Sequence, residues 1–246
     1  MSRRLLVSLL VATLLLLLWQ ALVTLADLPP FILPGPWRVA KALAQNADLI
    51  LWHAGVTLVE VVIGLTLGTL LGIATALGLA ASPVARQLVR PALILTQALP
   101  VFALAPILTL WLGYGIWSKI LIAVLIIYFP VTSAFSDGLA ATPKGWLDLA
   151  RTMQARPHHM LWRIRVPAAM PALASGLRLA AVYAPIGAVI GEWVGASQGL
   201  GYLMLLANGR AKTDLMFAAL AVLALMTLVL YRAVGAGCDR LASRFS

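Results

Sequence analysis

Long apolar runs alternate with short polar breaks along the whole chain. No Asp, Glu, Lys or Arg occurs from Leu5 to Ala26, from Pro91 to Leu112, from Ile120 to Ser136, or from Leu215 to Tyr231. Two further runs are almost as clean. Gly55–Ala81 carries Glu60 alone, and Ala168–Trp193 carries Arg178 with Glu192 at its end. About 20 apolar helical residues cross a hydrocarbon core roughly 30 Å thick. The pattern therefore predicts an all-α polytopic membrane protein with six transmembrane helices in one domain, residues 1–246. The fourth and sixth runs are short and need flanking residues to complete a crossing. "MSRR" followed by an apolar run and "TLA" imitates a signal peptide. The run is long for one and Trp19-Gln20 interrupts it late, so a retained helix is the expectation.

The breaks carry their own patterns. "DLPPFILPGP", Asp27–Pro36, holds four prolines and cannot be helix interior. "WRVAKALAQNADLILWH" then spaces its apolar residues helically, predicting an amphipathic surface helix over about 37–50. In "GLTLGTLLG" the glycines Gly64, Gly68 and Gly72 recur every four residues. Small residues at that spacing let another helix approach closely. The stripe fits either ordinary packing inside the chain or a moving or dimerising contact. Glu60, one turn away, faces protein or water, or is solvated at the end of its run. Pro91, Pro100 and Pro106 break the third run's hydrogen-bond ladder. Freed carbonyls are tolerated in a membrane only against other helices or a water-filled path, so this run either lines a path or is a kinked packing helix.

Composition agrees: 62% of residues are hydrophobic, 11% charged, and mean hydropathy is +0.98. Soluble domains average about 25% charged. The net charge of +10 sits between apolar runs, which argues for a topological role and against nucleic acid. With the N-terminus inside, twelve Lys and Arg fall on inner segments and five on outer ones. Both termini are then cytoplasmic, and the longest inner segment is "DLARTMQARPHHMLWRIRVPAAMP", Asp148–Pro171. It reads as two short helices, with Trp146, Leu149 and Met153 on one stripe, Pro157 opening the second helix and Pro167 ending it. A helix pair this short needs a partner surface.

Catalytic signatures are missing. None of the four lysines follows glycine, which excludes a P-loop. His158 and His159 are adjacent and point about 100° apart on a helix, so they read as surface residues and no metal site is expected. Ser133, Ser197 and Cys238 have no base-and-orienter companions. An enzyme is not expected, and no cofactor is expected in this chain.

The inner segment resembles the EAA loop of permease subunits of bacterial ATP-binding cassette importers. That pattern is E-A-A, three residues, G, nine residues, I, one residue, L-P. Here Asp148, Leu149, Ala150, Gln154, Ile164, Val166 and Pro167 occupy it at the same spacing. Gln154 replaces the glycine, which raises the expectation of a differently built turn if that site is left-handed. "FILPGPWRVAKAL", "GLTLGTLLGIATALG" and "GASQGLGYLML" resemble the nitrate, sulfonate and taurine branch. "QALPVFALAPILTLWLGYG" and "FPVTSAFSDGL" resemble permeases proposed to import hydroxymethylpyrimidine, a thiamine precursor. In that branch a basic residue often stands where Glu60 is.

The resemblance implies a fold, partners and site residues. The loop over about 143–167 would couple to a cytoplasmic ATPase through Asp148, Leu149, Ala150, Met153, Gln154, Ile164, Val166 and Pro167, with its basic residues around the contact. The chain would form a homodimer with two ATPase subunits, which hold ATP and Mg, and a periplasmic binding protein would deliver substrate. The path would follow the dimer axis along the third and fifth spans, past Gln97, Pro100, Tyr183 and Glu192. Glu192 would belong to an outer gate, or to a salt bridge or headgroup contact. Sulfonate, nitrate, taurine or riboflavin are alternative substrates. Other classes are an ion-coupled secondary transporter using Glu60, Arg178 and Glu192, and a membrane-embedded hydrolase.

Overall fold

The computed structural model describes residues 3–242, and every regular element among them is helical. In chain order these are α1 (Arg3–Leu25), α2 (Pro36–Gln45), α3 (Ala47–Ala81), α4 (Pro83–Ala98), α5 (Val101–Leu112), α6 (Ile116–Ala140) and α7 (Lys144–Thr152). Then come α8 (Pro157–Met160), a π-helical turn (Leu161–Arg165), α9 (Val166–Gly195), α10 (Leu200–Gly209) and α11 (Thr213–Ala242). Among the described residues, four helical stretches are long and apolar enough to cross a membrane: Ala47–Ala81, Ile116–Ala140, Pro157–Gly195 and Thr213–Arg240.

Three boundaries differ from the sequence reading. The amphipathic helix stops at Gln45, because Asn46 turns the chain and both its backbone N and its Nδ2 donate to the Ala42 carbonyl, at 3.1 and 2.8 Å. The second span therefore starts at Ala47, and α3 runs 35 residues. The third run is not one helix. Pro100 has no N–H to donate, and it drives Leu99 to an extended φ −86°, ψ 120°, which separates α4 from α5. Pro167, by contrast, ends nothing. The wider π turn just before it absorbs the missing N–H, and the helix continues from Pro157 to Gly195.

The bundle is built around α6. On one side α3 runs parallel to it in strict register. A Cβ added at Gly64 would lie 2.8 Å from the Ala123 Cβ, one at Gly68 2.9 Å from Ile127, and one at Gly72 2.9 Å from Val131. The stripe thus packs inside the chain, on α6. On the other side α9 runs antiparallel. Added Cβ atoms at Gly176, Gly187 and Gly191 would meet Ala134, Ala123 and Lys119 at 2.8–2.9 Å. Lipid tails are as apolar as leucine, so burial alone does not drive these helices together; close van der Waals packing does. Hydrogen bonds from the Thr132 hydroxyl to the Gly72 carbonyl (3.4 Å) and from the Tyr128 hydroxyl to Thr75 Oγ1 (3.2 Å) fasten the same α3–α6 face.

Substitution of Gly68 by leucine should therefore break the register. Overpacking typically costs about 1–3 kcal/mol. The expected result is a lower thermal midpoint in detergent and reduced assembly with membrane insertion retained; Gly68→Ala should show a smaller loss. A wild-type midpoint for Gly68→Leu would mean that this face looks at lipid.

Candidate functional site

At one end of the bundle lies the polar loop. α7 closes in a Schellman turn: the Gln154 N–H donates to the Arg151 carbonyl and the Ala155 N–H to the Ala150 carbonyl, both at 2.9 Å. Gln154 takes φ +57°, so the turn is built in the left-handed way despite the lost glycine, and the expectation of a different turn is corrected. A side chain held there costs roughly 1–2 kcal/mol. Asp148, Leu149, Met153 and Gln154 are exposed, as is Trp146, and an exposed ion pair joins Asp148 to Arg151 at 2.7 Å. Leu149 and Met153 are 62% and 74% exposed. They rim a groove of about 390 Å³ that Ile164 and Pro167 also line. Ala150, 6% exposed, lines the same groove as a buried residue. Val166 turns the other way and packs against the bundle core.

Of the basic residues expected around the ATPase contact, Arg165 turns inward instead. From the π turn its Nε and Nη2 donate to the Leu139 carbonyl at 3.1 and 3.0 Å, and its Nη1 to the Ala80 carbonyl at 3.2 Å. Those carbonyls close the last turns of α6 and α3, where a cation also suits the helix dipole. One side chain thus ties the loop to both helix ends.

Towards the other end of α3, α6 and α9 lies a buried polar cluster. Glu60 is 1% exposed, so it is not solvated at a span end; its Oε1 lies 3.3 Å from the Lys119 Nζ. Glu192 is equally buried and does not face an open path. Its Oε1 accepts from the Thr57 hydroxyl at 2.6 Å and its Oε2 from the Gly201 N–H at 2.5 Å. The Leu200 N–H donates to Thr57 Oγ1 at 2.8 Å and the Gly199 N–H to His53 Nδ1 at 2.9 Å. These side chains cap the N-terminus of α10, which lacks a capping side chain of its own. His53, Thr57 and Lys119 were missed by the sequence reading. Glu60 and Lys119 continue the register that pairs Gly64 with Ala123, a register visible only once the helices are folded together.

Of the remaining path candidates, Tyr183 lines a groove of about 640 Å³ between α5, α6 and α9. Pro100 caps α5 just before Val101 and Phe102 enter that groove. The side chain of Gln97 lies outside the described residues. Arg178, offered as a transport group, instead forms an ion pair with Asp239 of α11 at 2.5 Å.

The family model for the inner membrane component of binding-protein-dependent transport systems matches residues 64–245. The chain belongs to that family, the permease subunits of ATP-binding cassette importers. It is 51% identical to a probable ABC transporter permease protein of Haemophilus influenzae, over all of this chain and 98% of that one. It is 40% identical to the formylaminopyrimidine transport permease of Halalkalibacterium halodurans over 70% of each chain. It is 38% identical to a riboflavin transport permease of Chloroflexus aurantiacus over 90% of this chain and 84% of that one. Its fold matches the inward-facing methionine transporter MetNI with a TM-score of 0.60 at 18% identity, covering 87% of this chain and 99% of that one. The protein is a multi-pass inner-membrane permease, and hydrolysis of ATP by a separate subunit is the family's pattern.

Breaking the buried pair tests the cluster. Lys119→Met leaves Glu60 without its cation in a buried site and should cost about 3–5 kcal/mol. The double variant Glu60→Met/Lys119→Met removes both charges and should recover much of the thermal midpoint. A double variant as unstable as the single one would show that the pair is not a unit.

Proposed function

We propose that two copies of this chain enclose a substrate path and couple ATP hydrolysis by two cytoplasmic ATPase subunits to uptake of an aminopyrimidine thiamine precursor. The loop of α7 and α8 seats in the ATPase, a periplasmic binding protein delivers substrate, and six crossings leave both termini in the cytoplasm. ATP and Mg belong to the partner subunit. The observation that carries the coupling role is the loop's pair of opposite attachments. Outward it presents Leu149 and Met153; inward Arg165 grips the ends of α3 and α6. A push on the exposed face is thereby delivered to two long helices. ATP binding draws the two loops together and opens the path outward, and hydrolysis resets it. The substrate reading rests on the formylaminopyrimidine relative and on the two segments that resemble pyrimidine permeases. Riboflavin is the second reading, favoured by the fuller coverage of the riboflavin relative.

Because Ala150 is buried in the groove, where a large side chain would also disturb the loop, an exposed neighbour is the cleaner probe. Leu149→Arg puts a charge into the docking contact while leaving the loop's own packing intact, and desolvating an unpaired charge costs several kcal/mol. The expected result is normal insertion with lost co-purification of the ATPase, or hydrolysis uncoupled from transport. Arg151→Ala should do little, since its exposed pair contributes about 0–1 kcal/mol. Wild-type pull-down and coupled uptake in Leu149→Arg would remove the loop from the coupling role.

A further inference from the structure

The two sequence segments that set this chain apart meet in space. "QALPVFALAP" supplies Val101 and Phe102 after the Pro100 break, and "FPVTSAFSDGL" supplies Phe129, Ser133 and Asp137 from one face of α6. Both segments line the groove of about 640 Å³, and Tyr183 of α9 closes its far wall. Ser133 and Asp137 also line an adjoining cavity of about 210 Å³ between α4 and α6, together with Ser136 and Thr132. We propose that this groove is a substrate-contacting site of the path, built for a planar amino-substituted heterocycle. The inference rests on the aminopyrimidine reading and deepens it.

The chemistry of the walls carries the assignment. Binding sites of about 300–1,000 Å³ lined mainly by apolar and aromatic groups, with few polar ones, suit small heterocycles. Phe102 and Phe129 offer ring faces for offset stacking. Asp137 is exposed at the loop-side end of the groove, beside a lining that is otherwise mainly apolar, so its carboxylate is accessible to a ligand. Among the described residues it has no ion-pair partner, and its hydrogen bond is a long one, 3.4 Å from the Ser133 hydroxyl. Both carboxylate oxygens therefore have lone pairs to offer the N–H groups of an exocyclic amine. The Tyr183 hydroxyl can donate to a ring nitrogen, and the Ser133 hydroxyl can do so by turning from its long bond to Asp137. Asp137 lies three residues before the end of α6, on the side of the bundle that carries the α7–α8 loop. A ligand held there is near the end of its passage, in a position read by the same helix whose terminus Arg165 grips.

The test uses the complete transporter, with its ATPase and binding protein, reconstituted in proteoliposomes. Uptake of labelled formylaminopyrimidine is compared with that of the analogue bearing hydrogen in place of the amino group. Wild type should prefer the amino compound, and Asp137→Asn should raise KM for it by at least about tenfold and flatten the preference. A merely structural aspartate would not move the preference between the two compounds. Tyr183→Phe and Ser133→Ala, which keep the helix surfaces, should weaken uptake of both compounds and serve if Asp137→Asn fails to assemble. Wild-type vesicles that accumulate no aminopyrimidine would overturn the substrate reading. Wild-type accumulation with unchanged KM and unchanged preference in Asp137→Asn, or in both other variants should it not assemble, would overturn the groove alone.

Discussion

Close approach of α3 and α9 to α6 is the constraint on which the rest of the protein depends. In lipid, helices are held by contact and not by burial from water. Here the contact is made by glycines that leave no side chain between the backbones. Gly64 and Gly187 both come against Ala123, so all three helices meet at one small residue. Parallel on one side and antiparallel on the other, the packing fixes the axial position of each helix.

Each end of the trio is closed by polar chemistry that the register puts in place. Where α3 and α6 end, Arg165 reaches the Ala80 carbonyl and, alongside the Thr142 hydroxyl, the Leu139 carbonyl from the π turn that precedes α9. At the opposite end Glu60 and Lys119 form the next step of the glycine ladder, replacing contact with an ion pair. Beside them, Glu192 and Thr57 hold the first N–H groups of α10. Buried charges are costly unless paired and hydrogen-bonded, so the cluster specifies one arrangement of α3, α6, α9 and α10. The groove with Phe102, Tyr183 and Asp137 lies between these two closed ends, on the flank that the broken α4–α5 pair leaves open.

Much of this was legible in the sequence, for identifiable reasons. Apolar run length reports membrane helices directly, and α3, α6, α9 and α11 followed from it. Four-residue glycine spacing reported close packing but not the partner, because nothing in one helix names the surface it meets. Position by position, the polar loop fitted the EAA pattern, yet spacing alone treated Ala150 and Val166 like Leu149. Only the folded loop separates the side chains that face outward from those that pack it. Arg165 was indistinguishable from its basic neighbours, because its partners are backbone carbonyls of distant helices. Glu192 fitted an outer gate, a salt bridge or a headgroup contact equally; its hydrogen-bond partners come from α3 and from the start of α10, which no local pattern connects. Pro100 and Pro167 looked alike as helix breakers. The difference is the π turn before Pro167, which supplies the slack that Leu99 lacks.

In the proposed cycle the energy for transport enters through a partner ATPase, in keeping with the family's pattern. The most direct measurement is uptake into sealed proteoliposomes holding this permease, its ATPase and the binding protein, with ion gradients collapsed. Uptake that requires ATP inside the docking compartment, ceases when the ATPase is left out and persists without any gradient is the predicted result. Uptake by the permease alone, driven by a proton or sodium gradient and indifferent to ATP, would contradict it.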